Sequence, residues 1–192
     1  MLNFKIFGIN IYVSYYFLSL ITFLFLIDKT GLLGFSLLSI ILHETGHILA
    51  LIYFKQNPSF ISFNLASVRI TGNLNTTNFN KLIIALLGPL TNFLFSLFLL
   101  SQNKMLYNFG MCNLVIGAFN IIPAKNLDGG DILSLIIKIL KVNRGDFCFN
   151  LILFSSILFI FLLGLCLFIY YNNNPTVLIV AIYLFILSFI KV

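Results

Sequence analysis

Ile40-Ile41-Leu42-His43-Glu44-Thr45-Gly46-His47-Ile48-Leu49 is the stretch on which the reading of this chain turns. Three ionisable side chains fall within five positions, near the middle of an apolar run from Gly31 to about Phe54. One such residue at the centre of a membrane helix costs about 2.5–3.5 kcal/mol on insertion scales. His43 and His47 are the only two histidines of the chain, and they flank Glu44. Packing alone does not account for that concentration. Residues four apart lie on one face of a helix, a turn above one another. His43 and His47 can therefore aim two imidazoles at one metal ion, while Glu44 reaches a water beside it.

The pattern H-E-x-x-H on a helix is the zinc hydrolase arrangement, with the glutamate as general base. Zinc makes hydroxide available near neutral pH, and Glu44 can carry the proton to a leaving amine. Gly46 removes a side chain beside the site, so another helix or a peptide can approach. The competing readings are a structural His-Glu pair and a proton relay in a transporter. Intramembrane charge is rare elsewhere in the sequence, which counts against the transporter.

Composition supports a membrane setting. Of 192 residues, 60% are hydrophobic and 8% charged. A soluble domain is about a quarter charged, so a water-soluble fold and a disordered chain are both excluded. The net charge of +6 would point to nucleic acid in a soluble protein. Here the basic residues lie between apolar runs and read as topology signals, with no direct nucleic-acid partner expected. Cys112, Cys148 and Cys166 form no metal-type spacing and read as small buried hydrophobes.

The expected fold is an all-α polytopic membrane domain, residues 1–192, with about six spans of about 20 residues each. They lie near 7–27, 31–54, 81–100, 105–123, 147–171 and 175–191, and no soluble domain is expected after them. With the N-terminus in the cytoplasm, nine of the eleven Lys and Arg fall inside: Lys5, Lys55, Arg69, Lys81, Lys125, Lys138, Lys141, Arg144 and Lys191. Lys29 and Lys104 fall outside. That bias puts both termini in the cytoplasm. Residues 57–76 alternate polar and apolar in two short runs, which predicts a small membrane-associated β-hairpin. An ordinary cytoplasmic loop is the alternative.

A catalytic zinc takes three protein ligands and keeps one position open. No third histidine exists, so the third ligand must be a carboxylate. Asp128 and Asp131 are the candidates, in Asn120-Ile121-Ile122-Pro123-Ala124-Lys125-Asn126-Leu127-Asp128-Gly129-Gly130-Asp131. Pro123 ends the fourth span, and Gly129-Gly130 lets the backbone turn, which can present a carboxylate at depth. The alternative for Asp128 is an N-cap of the helix starting near Gly130-Asp131.

Taken together, His43-Glu44-Thr45-Gly46-His47, then Gly88-Pro89-Leu90-Thr91-Asn92, then Asn120 with Pro123 and Leu127-Asp128-Gly129-Gly130 resemble the site-2 protease family of intramembrane zinc metalloproteases, peptidase family M50. The short N-terminal span before the metal helix, about six spans in total and no PDZ domain in between resemble its sporulation branch, the stage IV sporulation protein FB group. The resemblance implies that His43, His47 and Asp128 bind one Zn2+ and that Glu44 is the general base. It implies that Asn120 places substrate or steadies the site, with Pro123, Gly129 and Gly130 supporting it. It makes the Gly88-Pro89 turn structural and the 57–76 hairpin a guide for extended substrate. Two departures stand out. The nucleotide-sensing CBS domain that members of the branch often carry is not expected after the last span, and Lys125-Asn126 replaces the family's second proline.

The expected activity is zinc-dependent intramembrane endopeptidase action on a membrane-associated protein. On the sporulation resemblance, the substrate is the precursor of the late mother-cell sigma factor (pro-sigma-K), cleaved in the mother-cell membrane around the forespore. Integral-membrane inhibitor proteins and a homo-oligomer are expected partners beside the lipid bilayer. The rival within the class is a housekeeping site-2 protease acting on anti-sigma factors or signal-peptide remnants. From other classes come a non-proteolytic metal-binding scaffold or transporter and a purely structural membrane protein.

Overall fold

The computed structural model describes residues 2–6, 9–28, 31–56, 60–63, 68–71, 75–124, 127–143 and 145–170. The chain divides into two compact units, Met1–Phe119 and Asn120–Val192.

The first unit opens with β1 (Leu2–Ile6) and β2 (Ile9–Val13), followed by α1 (Tyr15–Ile27) and α2 (Leu32–Tyr53). Then come β3 (Phe60–Phe63), β4 (Val68–Thr71), α3 (Asn78–Ser96), a 3-10 turn (Leu97–Leu100) and α4 (Lys104–Ile121), whose last two residues enter the second unit. The strands form one sheet in the order β1-β2-β3-β4. The expected hairpin is present: β3 and β4 are antiparallel, with Ile61 opposite Ile70 and Phe63 opposite Val68. The N-terminal hairpin was not expected. The first apolar run, read as one span over 7–27, divides at Ser14, because β-branched residues in Ile9-Asn10-Ile11-Tyr12-Val13 suit a strand. β2 then pairs with β3 in parallel. Parallel strands need a crossover, and α1 with α2 supplies it.

Two helices among the described residues are long and apolar enough to cross a membrane, Leu32–Tyr53 and Asn78–Leu100. Only 33% and 22% of their most apolar windows are buried inside the protein, unlike the core helix of a soluble fold. α1 has 13 residues, about 20 Å at 1.5 Å per residue, short of a bilayer core of about 30 Å. The last expected span, 175–191, lies outside the described residues.

Local chemistry sets the helix ends. The Asp28 carboxylate accepts from the backbone N–H of Gly31 (3.1 Å) and Leu33 (2.9 Å), capping α2. Gly31 there has φ 71°, which suits a residue without Cβ. Thr77 caps α3 by accepting from Asn80 N. Asn103 caps α4 through Met105 N at 2.9 Å.

α2 and α3 pack closely around Ala50, Leu51 and Ile84, with Phe54 and Leu87 against them. A Cβ at Gly46 would collide with Thr91 Oγ1 and the Leu87 carbonyl. The neighbour that Gly46 admits is therefore α3. At the other end, Phe109 of α4 is buried among the rings of Phe35, Phe95 and Phe98, with centroids 5.8–6.4 Å away.

The second unit holds α5 (Asp128–Ile139) and α6 (Gly145–Tyr170). The apolar segment 132–140, read as an interruption in a polar loop, falls in α5, with Leu140 as its C-cap. A Cβ at Gly129 would collide with the Ile121 carbonyl, so only glycine lets α5 start this close to the end of α4.

Candidate metal centre

His43 and His47 are both on α2, in its buried stripe with Ser39, Gly46 and Ala50. Their rings lie edge to face, 4.8 Å between centroids. The two Nε2 atoms are 3.2 Å apart. Each Nδ1 is held by another group. His43 Nδ1 is 2.6 Å from Asn92 Oδ1 of α3. His47 Nδ1 is 2.8 Å from the carbonyl oxygen of Ile84, also on α3. A carbonyl oxygen can only accept, so His47 Nδ1 carries a hydrogen, and the neutral ring then presents a lone pair at Nε2.

This geometry suits a metal ion. On tetrahedral zinc with Zn–N about 2.0–2.1 Å, two nitrogens lie about 3.3 Å apart. The Nε2 pair already has that separation. Zinc-binding histidines also donate their other ring N–H to a carbonyl or carboxylate, which fixes the ring. Gly88 completes the cradle, since a Cβ there would fall on the His47 ring.

Glu44 lies on α2 between the two histidines and is half-buried. The other residues expected at the site belong to the second unit. Asn120 is half-buried in the last turn of α4, and Pro123 follows that helix. Asp128 is the first residue of α5; Leu127 is the N-cap. The expected alternative, Asp128 as the cap of a helix starting two residues later, does not describe this start. Gly129 and Gly130 are buried in the first turn of α5, and Asp131 is exposed.

Three features around the histidines were not foreseen. Asn92 was part of a quoted motif but had no assigned role, Gly88 was read as a turn, and Asn113 was not singled out. A signal existed for the asparagines. An amide inside an apolar helix must find partners or lose several kcal/mol, so Asn92 and Asn113 had to bond to something within the bundle.

A model of peptidase family M50 matches residues 100–164. A zinc metalloprotease of Methanocaldococcus jannaschii is 30% identical over 111 residues, 52% of this chain and 32% of that protein. The match thus spans about a third of the relative's length. The solved structure of the site-2 protease from Methanocaldococcus jannaschii is similar in fold, with a TM-score of 0.66 and 24% identity over 100% of this chain and 96% of that one. The family model thus matches about a third of this chain, and the solved structure shows a shared fold.

Proposed function

We propose that this chain is a zinc-dependent intramembrane endopeptidase whose ligands are His43, His47 and Asp128 and whose general base is Glu44. The observation that carries the reading is the pair of Nε2 atoms 3.2 Å apart, with each ring's Nδ1 held on α3. Two imidazoles and the Asp128 carboxylate are a donor set that could hold a metal ion. Three protein ligands with one open position are the pattern of catalytic zinc.

A zinc ion bound there would act as a Lewis acid and make hydroxide available near neutral pH. The chain's own residues do the rest. Asn92 and the Ile84 carbonyl hold the imidazoles in place. The Glu44 carboxylate takes a proton from the attacking water as its oxygen bonds to the peptide carbonyl carbon. It then gives that proton to the amine nitrogen as the C–N bond breaks. The edge of the β3–β4 hairpin supports the substrate reading, because strand pairing holds an extended segment through its main chain.

The substrate class in this reading is a membrane-associated protein extended near the bilayer. The sporulation resemblance points to a sigma-factor precursor, with membrane-embedded inhibitors as partners and the mother-cell membrane as location. Asn120 would steady the substrate or the site, supported by Pro123, Gly129 and Gly130.

Metal content and cleavage test the proposal. Protein purified in mild detergent without chelator should carry about one zinc per chain, and Asp128→Asn clearly less. Glu44→Gln should keep the zinc and lose cleavage by at least about 10²-fold, the scale of a removed general base. Zinc absent from folded protein after adding it back, or full cleavage by Glu44→Gln, overturns the reading.

A further inference from the structure

We infer that Asn113 is a positioning residue for His43, acting through Asn92. The inference rests on the proposal that His43 binds metal, and it adds a reason why the ring presents the right nitrogen.

Asn113 and Asn92 are completely buried, at 0% exposure. Asn113 Nδ2 donates to the Phe109 carbonyl at 2.9 Å. Asn92 Nδ2 donates to Asn113 Oδ1 at 2.9 Å and to the Ser39 carbonyl at 3.0 Å. Asn92 Oδ1 is then the acceptor that faces His43 Nδ1 at 2.6 Å. This chain of bonds has one direction. Its far end is a backbone carbonyl, which can only accept. That carbonyl turns the Asn113 amide so that its oxygen faces Asn92. The Asn113 oxygen in turn holds the Asn92 NH2, which leaves the Asn92 oxygen for the imidazole. A neutral His43 can donate to it only in the Nδ1–H form, which keeps a lone pair on Nε2. Turning the Asn92 amide over would set its oxygen against Asn113 Oδ1 and the Ser39 carbonyl, acceptor against acceptor.

The helix that carries Asn113 is built for this reach. Gly110, Asn113 and Gly117 recur at i, i+3 and i+7, on one face of α4. A Cβ at Gly110 would lie 2.6 Å from Leu99 N. A Cβ at Gly117 would lie 3.0 Å from Asn92 Cβ. Two glycines thus let the α4 backbone come close enough for a short amide to meet Asn92. The rings around Phe109 hold the residue whose carbonyl anchors the chain.

A packing role for Asn113 would leave the state of the imidazole untouched, so the imidazole is the readout. With two histidines in the chain, 15N-histidine spectra of metal-free protein resolve both rings. In the wild type, His43 is expected with a hydrogen on Nδ1, facing Asn92. Asn113→Leu is expected to bring in the opposite tautomer at His43 and leave His47, held by Ile84, unchanged. Zinc affinity, measured by chelator competition, should fall about tenfold, the lower end for a residue behind a ligand. In an Asn92→Leu background the same change should cost nothing further, because its route to His43 is already cut.

A wild-type His43 with no hydrogen on Nδ1 overturns the inference without any variant. So does an Asn113→Leu protein with unchanged spectrum and affinity, or an additive loss in the double variant. If Asn113→Leu does not fold, the wild-type spectrum still decides. Wild-type protein that binds no zinc defeats the proposed function instead, whereas the metal-free tautomer judges this inference alone.

Discussion

At Gly88 the backbone of α3 passes so near the His47 ring that no side chain fits between them. The ring's Nδ1 is held by the carbonyl of Ile84, one turn earlier on the same helix. A methyl group at 88 must push the imidazole away from that carbonyl or force the two helices apart. Gly88→Ala should therefore weaken zinc binding about tenfold or more, the range for disturbed support of a ligand. Chelator competition checks it, with Gly34→Ala as control because nothing lies within 4 Å of a Cβ there. Equal affinities for the two variants would show that the glycine is not part of the cradle. The same contact explains why a motif that reads as a turn can support the metal centre: it lies within α3, whose Gly88 and Pro89 are both buried.

Between elements, the closest approach that builds the site is α2 on α3. Gly46 stands between the two histidines, and a Cβ there would meet the Leu87 carbonyl and Thr91. Gly46→Val should destabilise the protein by about 1–3 kcal/mol, the usual cost of overpacking. Thermal unfolding in detergent would register it, and Gly34→Val should show a much smaller change. Both helices were legible in the sequence as apolar runs, but their pairing was not. His43, Glu44 and His47 announce themselves because ionisable groups in an apolar run need a reason, and the alternation across residues 57–76 favoured a hairpin over an ordinary loop. The N-terminal strands were not legible, because Ile9-Asn10-Ile11-Tyr12-Val13 joins a helical apolar run and hydropathy alone cannot divide it. What separates them is pairing with β3, some fifty residues on. The Asn92–Asn113 contact was hidden for the same kind of reason. Each amide could be seen to need a partner, but which one depends on how α4 meets α3.

Across the first unit as a whole, the sheet constrains how the chain can cross a bilayer. β2 precedes α1, β3 follows α2, and the two strands are hydrogen-bonded neighbours. The α1–α2 pair must therefore leave and return on one side, whatever depth the short α1 reaches. From that side α3 and its 3-10 turn run 23 residues, Asn78 to Leu100, about 35 Å at 1.5 Å per residue, enough to cross a core of about 30 Å. Lys5 and Asn78 should then share a face, and Lys104 should lie on the other. The bias of Lys and Arg predicts that the first face is the cytoplasmic one. Single cysteines at these three positions, in a chain freed of Cys112, Cys148 and Cys166, make this measurable, since all three sites are exposed. An impermeant maleimide should label Lys104→Cys in intact cells, and Lys5→Cys and Asn78→Cys only after the membrane is opened. Labelling of Lys5→Cys and Asn78→Cys from opposite sides would contradict the strand pairing. Labelling of all three from one side would mean that α3 does not cross, and the site on its first half would then face water rather than lie within the bilayer.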